Sequence, residues 1–146
     1  SLAAMAERHR IGFQMLERLL EHAEVRELAP PDPELERLMP AMRYVETHLA
    51  EPVSTADLAR QVGLSPSRFY SVFRRVTGIT PMTHVLNARL RLAQHLLLTT
   101  LTPVGEVAMQ TGFASPYYFC RTFRRHRHTT PTAFRRDFSR LQRGHR

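Results

Sequence analysis

The chain has 146 residues, enough for one compact domain, or a small domain with a helical appendage, held by a hydrophobic core. Its single cysteine, Cys120, excludes an internal disulfide framework and a zinc site built from thiols. The net charge of +8 is unevenly placed: residues 1–51 hold six Arg against ten acids, and residues 52–146 hold fifteen Arg against only Asp57, Glu106 and Asp137, so a polyanion is drawn to the last two thirds.

Leu2, Met5, Phe13, Leu16, Leu20, Ala23 and Leu28 fall on one helical face and predict a long amphipathic helix over 2–28. A stripe of that width either forms a homodimer seam or packs on the helix that follows. Ala29-Pro30-Pro31-Asp32-Pro33 ends it, which places a domain boundary between 31 and 32. A second helix is expected from Pro33 to Ala50, burying Leu35, Leu38, Met42, Val45 and Leu49. Ser54-Thr55-Ala56-Asp57 is a capping box that opens a short helix to about Val62. Gly63 supplies a positive-φ turn, Ser65-Pro66 opens a helix to about Thr77, and Gly78 stops it. Two short helices about a glycine turn make a helix-turn-helix.

The pattern then repeats. Leu58-Ala59-Arg60-Gln61-Val62-Gly63-Leu64 returns as Val107-Ala108-Met109-Gln110-Thr111-Gly112-Phe113, and Phe69, Phe73, Arg74, Arg75, Thr80 and Pro81 return as Phe119, Phe123, Arg124, Arg125, Thr130 and Pro131. The second set needs one extra residue, placed within Ala114-Ser115, and a turn is where an insertion is tolerated. Between the repeats Val85, Leu86, Leu90, Ala93 and Leu97 keep helical spacing from Pro81 to Leu98, a connecting rod of roughly 25 Å.

These residues resemble the AraC/XylS family of bacterial transcription regulators over about Leu35 to Ser139. The signature lies at Val107 to Phe113, Ser115, Tyr118-Phe119, Arg121, Phe123-Arg124-Arg125 and Thr130-Pro131. Two positions depart from it: His128, where the family usually has glycine, and Pro116, where it often has a polar residue able to reach a base. The resemblance implies an all-α fold of two tandem helix-turn-helix units joined by a long helix and preceded by a linker helix. The DNA-binding domain is placed at 32–141, with a basic tail at 142–146. Helices near 66–77 and 116–127 would enter successive major grooves of double-stranded promoter DNA, about 34 Å apart along one face. The family implies activation of transcription, RNA polymerase as a partner, and an N-terminal sensory or dimerising domain. The opening Ser-Leu, in mid-helix, fits a fragment lacking that domain.

Carried over residue by residue, the resemblance puts Ser67, Tyr70 and Ser71 at bases, with Arg68 and Arg74 or Arg75 at phosphates. On the second reading helix Tyr117, Tyr118 and Arg121 form the exposed set expected at bases, with Arg121 able to fork onto a guanine and the two tyrosines able to touch thymine methyls or phosphates, and Arg124 and Arg125 belong to the phosphate set. The capped helix starts at Ser54 and Ser115 offer amides to phosphate oxygens. For each of these a solvated side chain is the alternative, and one of the two tyrosines could instead belong to the core.

Cys120 reads as a small buried hydrophobe rather than a redox switch. His126 and His128 lack the carboxylate or thiol that would complete a metal site. No catalytic residue or cofactor is expected, since the chain has no Gly-rich phosphate loop, nucleophile elbow or metal pair, and few acids in its basic part. Repair proteins of the Ada type use this kind of module but need several thiols. A basic scaffold without sequence preference remains the rival reading. The absence of an apolar run near the roughly 18 residues of a membrane span, and of a charged-then-apolar leader, predicts a soluble protein; the lone cysteine suits the reducing cytoplasm, and the DNA binding that the resemblance implies would place it at the nucleoid.

Overall fold

The computed structural model describes residues 32–143; the helix expected over 2–28 lies outside the described residues. Seven helices follow one another, α1 (Pro33–Thr47), α2 (Thr55–Gln61), α3 (Pro66–Thr77), α4 (Pro81–Thr99), α5 (Val104–Gln110), α6 (Pro116–Arg127) and α7 (Pro131–Arg143), with no strand among the described residues. Their starts are chemically specified. The Ser54, Ser65, Thr80 and Ser115 hydroxyls each accept a backbone N–H three residues on, satisfying amides that a helix start leaves without partners. Pro66, Pro81 and Pro116 occupy the first turn, where a missing N–H costs nothing.

Two cores result. The first joins Leu38, Ala41 and Val45 of α1, Leu58 and Ala59 of α2, Phe69, Val72 and Phe73 of α3, and Val85 and Ala88 of α4. The second joins Leu90, Ala93 and Leu97 of α4 to Val107 and Ala108 of α5, Phe113, and Phe119 and Phe123 of α6. α7 closes it with Phe134, whose ring meets Phe123 edge-on at 5.5 Å. The N-terminal half of α4 therefore belongs to one unit and its C-terminal half to the other. Its 19 residues form a rod of about 28 Å seated at both ends. Each unit buries two phenylalanines completely, and truncating one to alanine would cost about 3–5 kcal/mol.

The structure corrects the first helix. α1 stops at Thr47 rather than Ala50, Leu35 is 40% exposed, and Ala41 takes the buried place that the apolar spacing assigned beside Leu38. Pro40 lies inside α1 on its exposed side, where the carbonyl that loses its partner can bond water. The connecting helix runs one residue past Leu98. The second turn, 111–115, is one residue longer than the first, 62–65, and Ala114 is the added, exposed residue. α7 continues through Arg143, so the first two residues of the expected basic tail are helical.

Candidate nucleic-acid interface

On α3, residues Ser67, Ser71 and Arg74 stand at i, i+4 and i+7, opposite the buried Phe69, Val72 and Phe73, and all three are exposed. Fifty positions later Tyr117, Arg121 and Arg124 form the same exposed stripe on α6, opposite Phe119, Thr122 and Phe123. The two stripes differ in reach. Ser71 donates its hydroxyl to the Ser67 carbonyl at 3.1 Å, so its free lone pairs are what it offers outward. Tyr117 is 77% exposed, and Arg121 carries a forked donor able to match the O6 and N7 acceptors of a guanine.

Tyr118 divides its surface between the two environments that the sequence allowed. It is about half exposed, while its ring lies 6.1 Å from Phe113. With Arg121, Arg125, His126 and Leu86 of α4 it lines one shallow groove beside α6. Tyr70 and Arg68 are exposed on α3, and the last turn of α6 concentrates positive charge in Arg124, Arg125 and Arg127, with His126 between them.

Arg75 is exposed but not idle, since its guanidinium pairs with Glu34 of α1 at 2.8 Å. A phosphate would compete with that pair for the same donor, and a surface pair of this kind is a weak competitor. The two capped starts named in the sequence differ likewise. At α2 the Ser54 N–H donates to Asp57 Oδ2 at 2.9 Å and the Ser54 hydroxyl donates to the same oxygen at 2.6 Å, while Arg60 pairs with the other oxygen. These bonds from Ser54 hold Asp57 below the usual carboxylate range and set a negative charge where a phosphate would approach. The α6 start has no acid in its first turn, only Ser115 accepting the Tyr118 N–H at 3.1 Å, and the α3 start is free of acid in the same way. The α4 and α7 starts lack acids as well, so α3 and α6 share an open positive helix end with them, whereas α2 does not.

Cys120 of α6 is half-buried against the second core, and burial pushes its thiol up, away from the thiolate a redox switch requires. Among the described residues no group of three or more His, Cys, Asp and Glu side chains could hold a metal ion, and no helix is long and apolar enough to cross a membrane.

Two arginines escaped the sequence reading. Arg89 of α4 donates through Nε to the Leu49 carbonyl at 3.1 Å and through a terminal nitrogen to the Glu51 carbonyl at 2.8 Å. Arg135 of α7 donates in the same way to Leu97 at 3.1 Å and Thr102 at 2.6 Å. Arg89 grips the segment after α1, and Arg135 grips the last turn of α4 and the segment after it, where carbonyls lack helical partners. No motif marks them, because their partners are backbone atoms 33 to 40 residues away.

Comparison with known proteins agrees with this geometry. A helix-turn-helix domain family model matches residues 58–137. The chain is 38% identical over 91 residues to a probable transcriptional regulator, LumQ, of Photobacterium leiognathi, covering 62% of this chain and 37% of that protein. It is 35% identical over 100 residues to the arabinose operon regulatory protein of Escherichia coli, covering 68% of this chain and 34% of that protein. Among solved structures it resembles a regulator with an AraC-type DNA-binding domain from Chromobacterium violaceum, at 31% identity and a TM-score of 0.68, covering 71% of this chain and 93% of that one. It also resembles the DNA-binding domain of AdpA, solved with a target DNA, at 33% identity and a TM-score of 0.67, covering 77% and 97%. The chain spans little more than a third of the length of the LumQ and arabinose regulators.

Proposed function

The chain belongs to the AraC-type family of helix-turn-helix transcription regulators, and from that premise we propose that it reads a two-box site in double-stranded DNA, with α3 in one major groove and α6 in the next. One observation carries the reading: two exposed stripes at equivalent positions of two repeats, both on reading helices whose starts are free of acid, joined by a helix that is core to both. Ser67, Tyr70 and Ser71 face bases in the first box, and Tyr117, Tyr118 and Arg121 face bases in the second. Arg68, Arg74, Arg124, Arg125 and the Ser115 start hold phosphates. Arg75 and the Ser54 start also contribute once the Glu34 pair and the Asp57 carboxylate give way. The second box discriminates more strongly, because a forked Arg contact separates bases by about 1–3 kcal/mol and a lone hydroxyl bonds donor or acceptor alike.

Pro116 contributes only apolar contact at the start of α6. The whole regulator acts in the bacterial cytoplasm at the nucleoid, mostly as an activator that engages RNA polymerase, and answers to a sensory domain. Two copies meet through 2–28.

Titration of the chain, Arg121→Ala and Arg124→Ala against a bound duplex and its single-base variants tests the assignment. Arg121→Ala should lower affinity by about 1–3 kcal/mol and erase the preference at one base pair, whereas Arg124→Ala should weaken every duplex alike and reduce the salt slope by about 1. A uniform loss for both variants would make α6 a basic scaffold.

A further inference from the structure

The two helix-turn-helix units touch at a second place besides the shared α4. At the turn between α5 and α6, Gly112 has φ +82 and packs against the segment after α1, so closely that a Cβ there would overlap the Leu49 carbonyl oxygen and lie 2.8 Å from Arg89 Nε. The same Arg89 grips the Leu49 and Glu51 carbonyls from α4. The corresponding Gly63, in the turn of the first unit, has φ +66, yet a Cβ there would meet nothing within 4 Å. Both turns need the left-handed backbone that glycine adopts freely. Only the second also needs the missing side chain, because only there does the other unit come this close.

Arg89 is half-buried in this junction, and its Nε and a terminal nitrogen both donate to backbone carbonyls of the segment after α1. A helical rod seated in two cores can still bend and twist along its length. A contact off the rod's axis, tying the second turn to the segment after the first helix, removes that freedom.

We propose that the contact of Arg89 and Gly112 with the Leu49–Glu51 carbonyls is an orientation lock, which fixes the phase of α6 relative to α3 and so the box spacing that the protein accepts. Arg89 and Gly112 are then positioning residues for recognition, although neither lies on a reading helix. The inference rests on the two-box reading for its consequence, and on the structure alone for the lock itself. Its leverage comes from DNA geometry: adding one base pair between two boxes moves the second by about 3.4 Å and turns it by about 35°, which a locked protein must answer by deforming the duplex.

The test measures affinity of the 146-residue chain for duplexes carrying both boxes with the intervening length changed by one or two base pairs. Wild type, Arg89→Met, Gly112→Ala and Gly63→Ala are compared. Wild type should favour one length over its neighbours by roughly tenfold, the scale set by the deformation energy of a short site. Arg89→Met and Gly112→Ala should flatten that profile to within about threefold while helicity is retained, and Gly63→Ala should keep the profile. Arg89→Lys, which keeps a charge and loses the two-point grip, supplies the comparison if Arg89→Met melts below the assay temperature.

In parallel, spin labels at Gln61→Cys and Gln110→Cys, in a Cys120→Ser background, report the separation of the units without DNA. That distance distribution should broaden in the Arg89 and Gly112 variants and stay narrow in Gly63→Ala. Uniform losses at every spacing, with distributions as narrow as wild type, would overturn the lock. If wild type shows no spacing preference, the two-box reading fails, and the label distances by themselves decide whether the lock exists.

Discussion

His128 shows how one residue can carry a backbone requirement against its own preference. It closes α6 with φ 59, in the left-handed region, at the position where Gly78 closes α3 with φ 79. The bend is thus the same in both units, although an L side chain pays about 1–2 kcal/mol for it and glycine does not. His128→Gly should therefore stabilise the fold by about 1 kcal/mol after glycine's larger chain entropy is subtracted, read as a rise in melting temperature. His84 illustrates a charge effect. Its ring stands edge-on to Phe73 at 5.5 Å, and its buried Nε2 finds no hydrogen-bond partner among the described residues. Burial, helped by Arg91 and opposed by Glu46, lowers its affinity for a proton. The unfolded chain then binds the proton more readily, so the contribution of His84 to stability is complete above its ordinary value of 6.5 and is lost as pH falls through the lowered value. His84→Gln should flatten the stability profile on the acid side of 6.5, followed by chemical denaturation at several pH values; an unchanged slope would contradict it.

At the scale of elements, helix starts were legible because their signals are local. Ser54 with Asp57, Ser65-Pro66, Thr80-Pro81 and Ser115-Pro116 each announce a start within four residues, and each is found there. The end of α1 was not legible. The apolar spacing continues through Leu49, but Leu49 is buried from the segment after the helix, so periodicity outlasted the helix that produced it. The start of α5, at Pro103 with no side-chain cap, carries no comparable signal. Ser54→Ala should cost about 1 kcal/mol, measured by thermal unfolding at neutral pH. Because the Ser54 bonds hold Asp57 low, the box contributes above the usual carboxylate range and is lost as pH falls through the lowered value. The gap between wild type and Ser54→Ala should therefore narrow in acid.

For the whole molecule, the repeat was legible because the two units keep the same buried positions: Phe69, Val72 and Phe73 in one, Phe119, Thr122 and Phe123 in the other. The candidate site followed from the same register, since exposed positions are those the core leaves over. What was not legible is the junction of the units, where Arg89 and Gly112 meet backbone atoms that carry no sequence signature. The charge imbalance along the chain supplies attraction to any duplex, whereas the proposed two-box reading by the paired stripes and the shared α4 requires a particular one. Selection of bound duplexes from a randomised pool at near-physiological salt separates these contributions most directly. The account predicts enrichment of two boxes about one helical turn apart, with the box under α6 the sharper of the two. Recovery of a pool with no common sequence, bound with steep salt dependence, would contradict it.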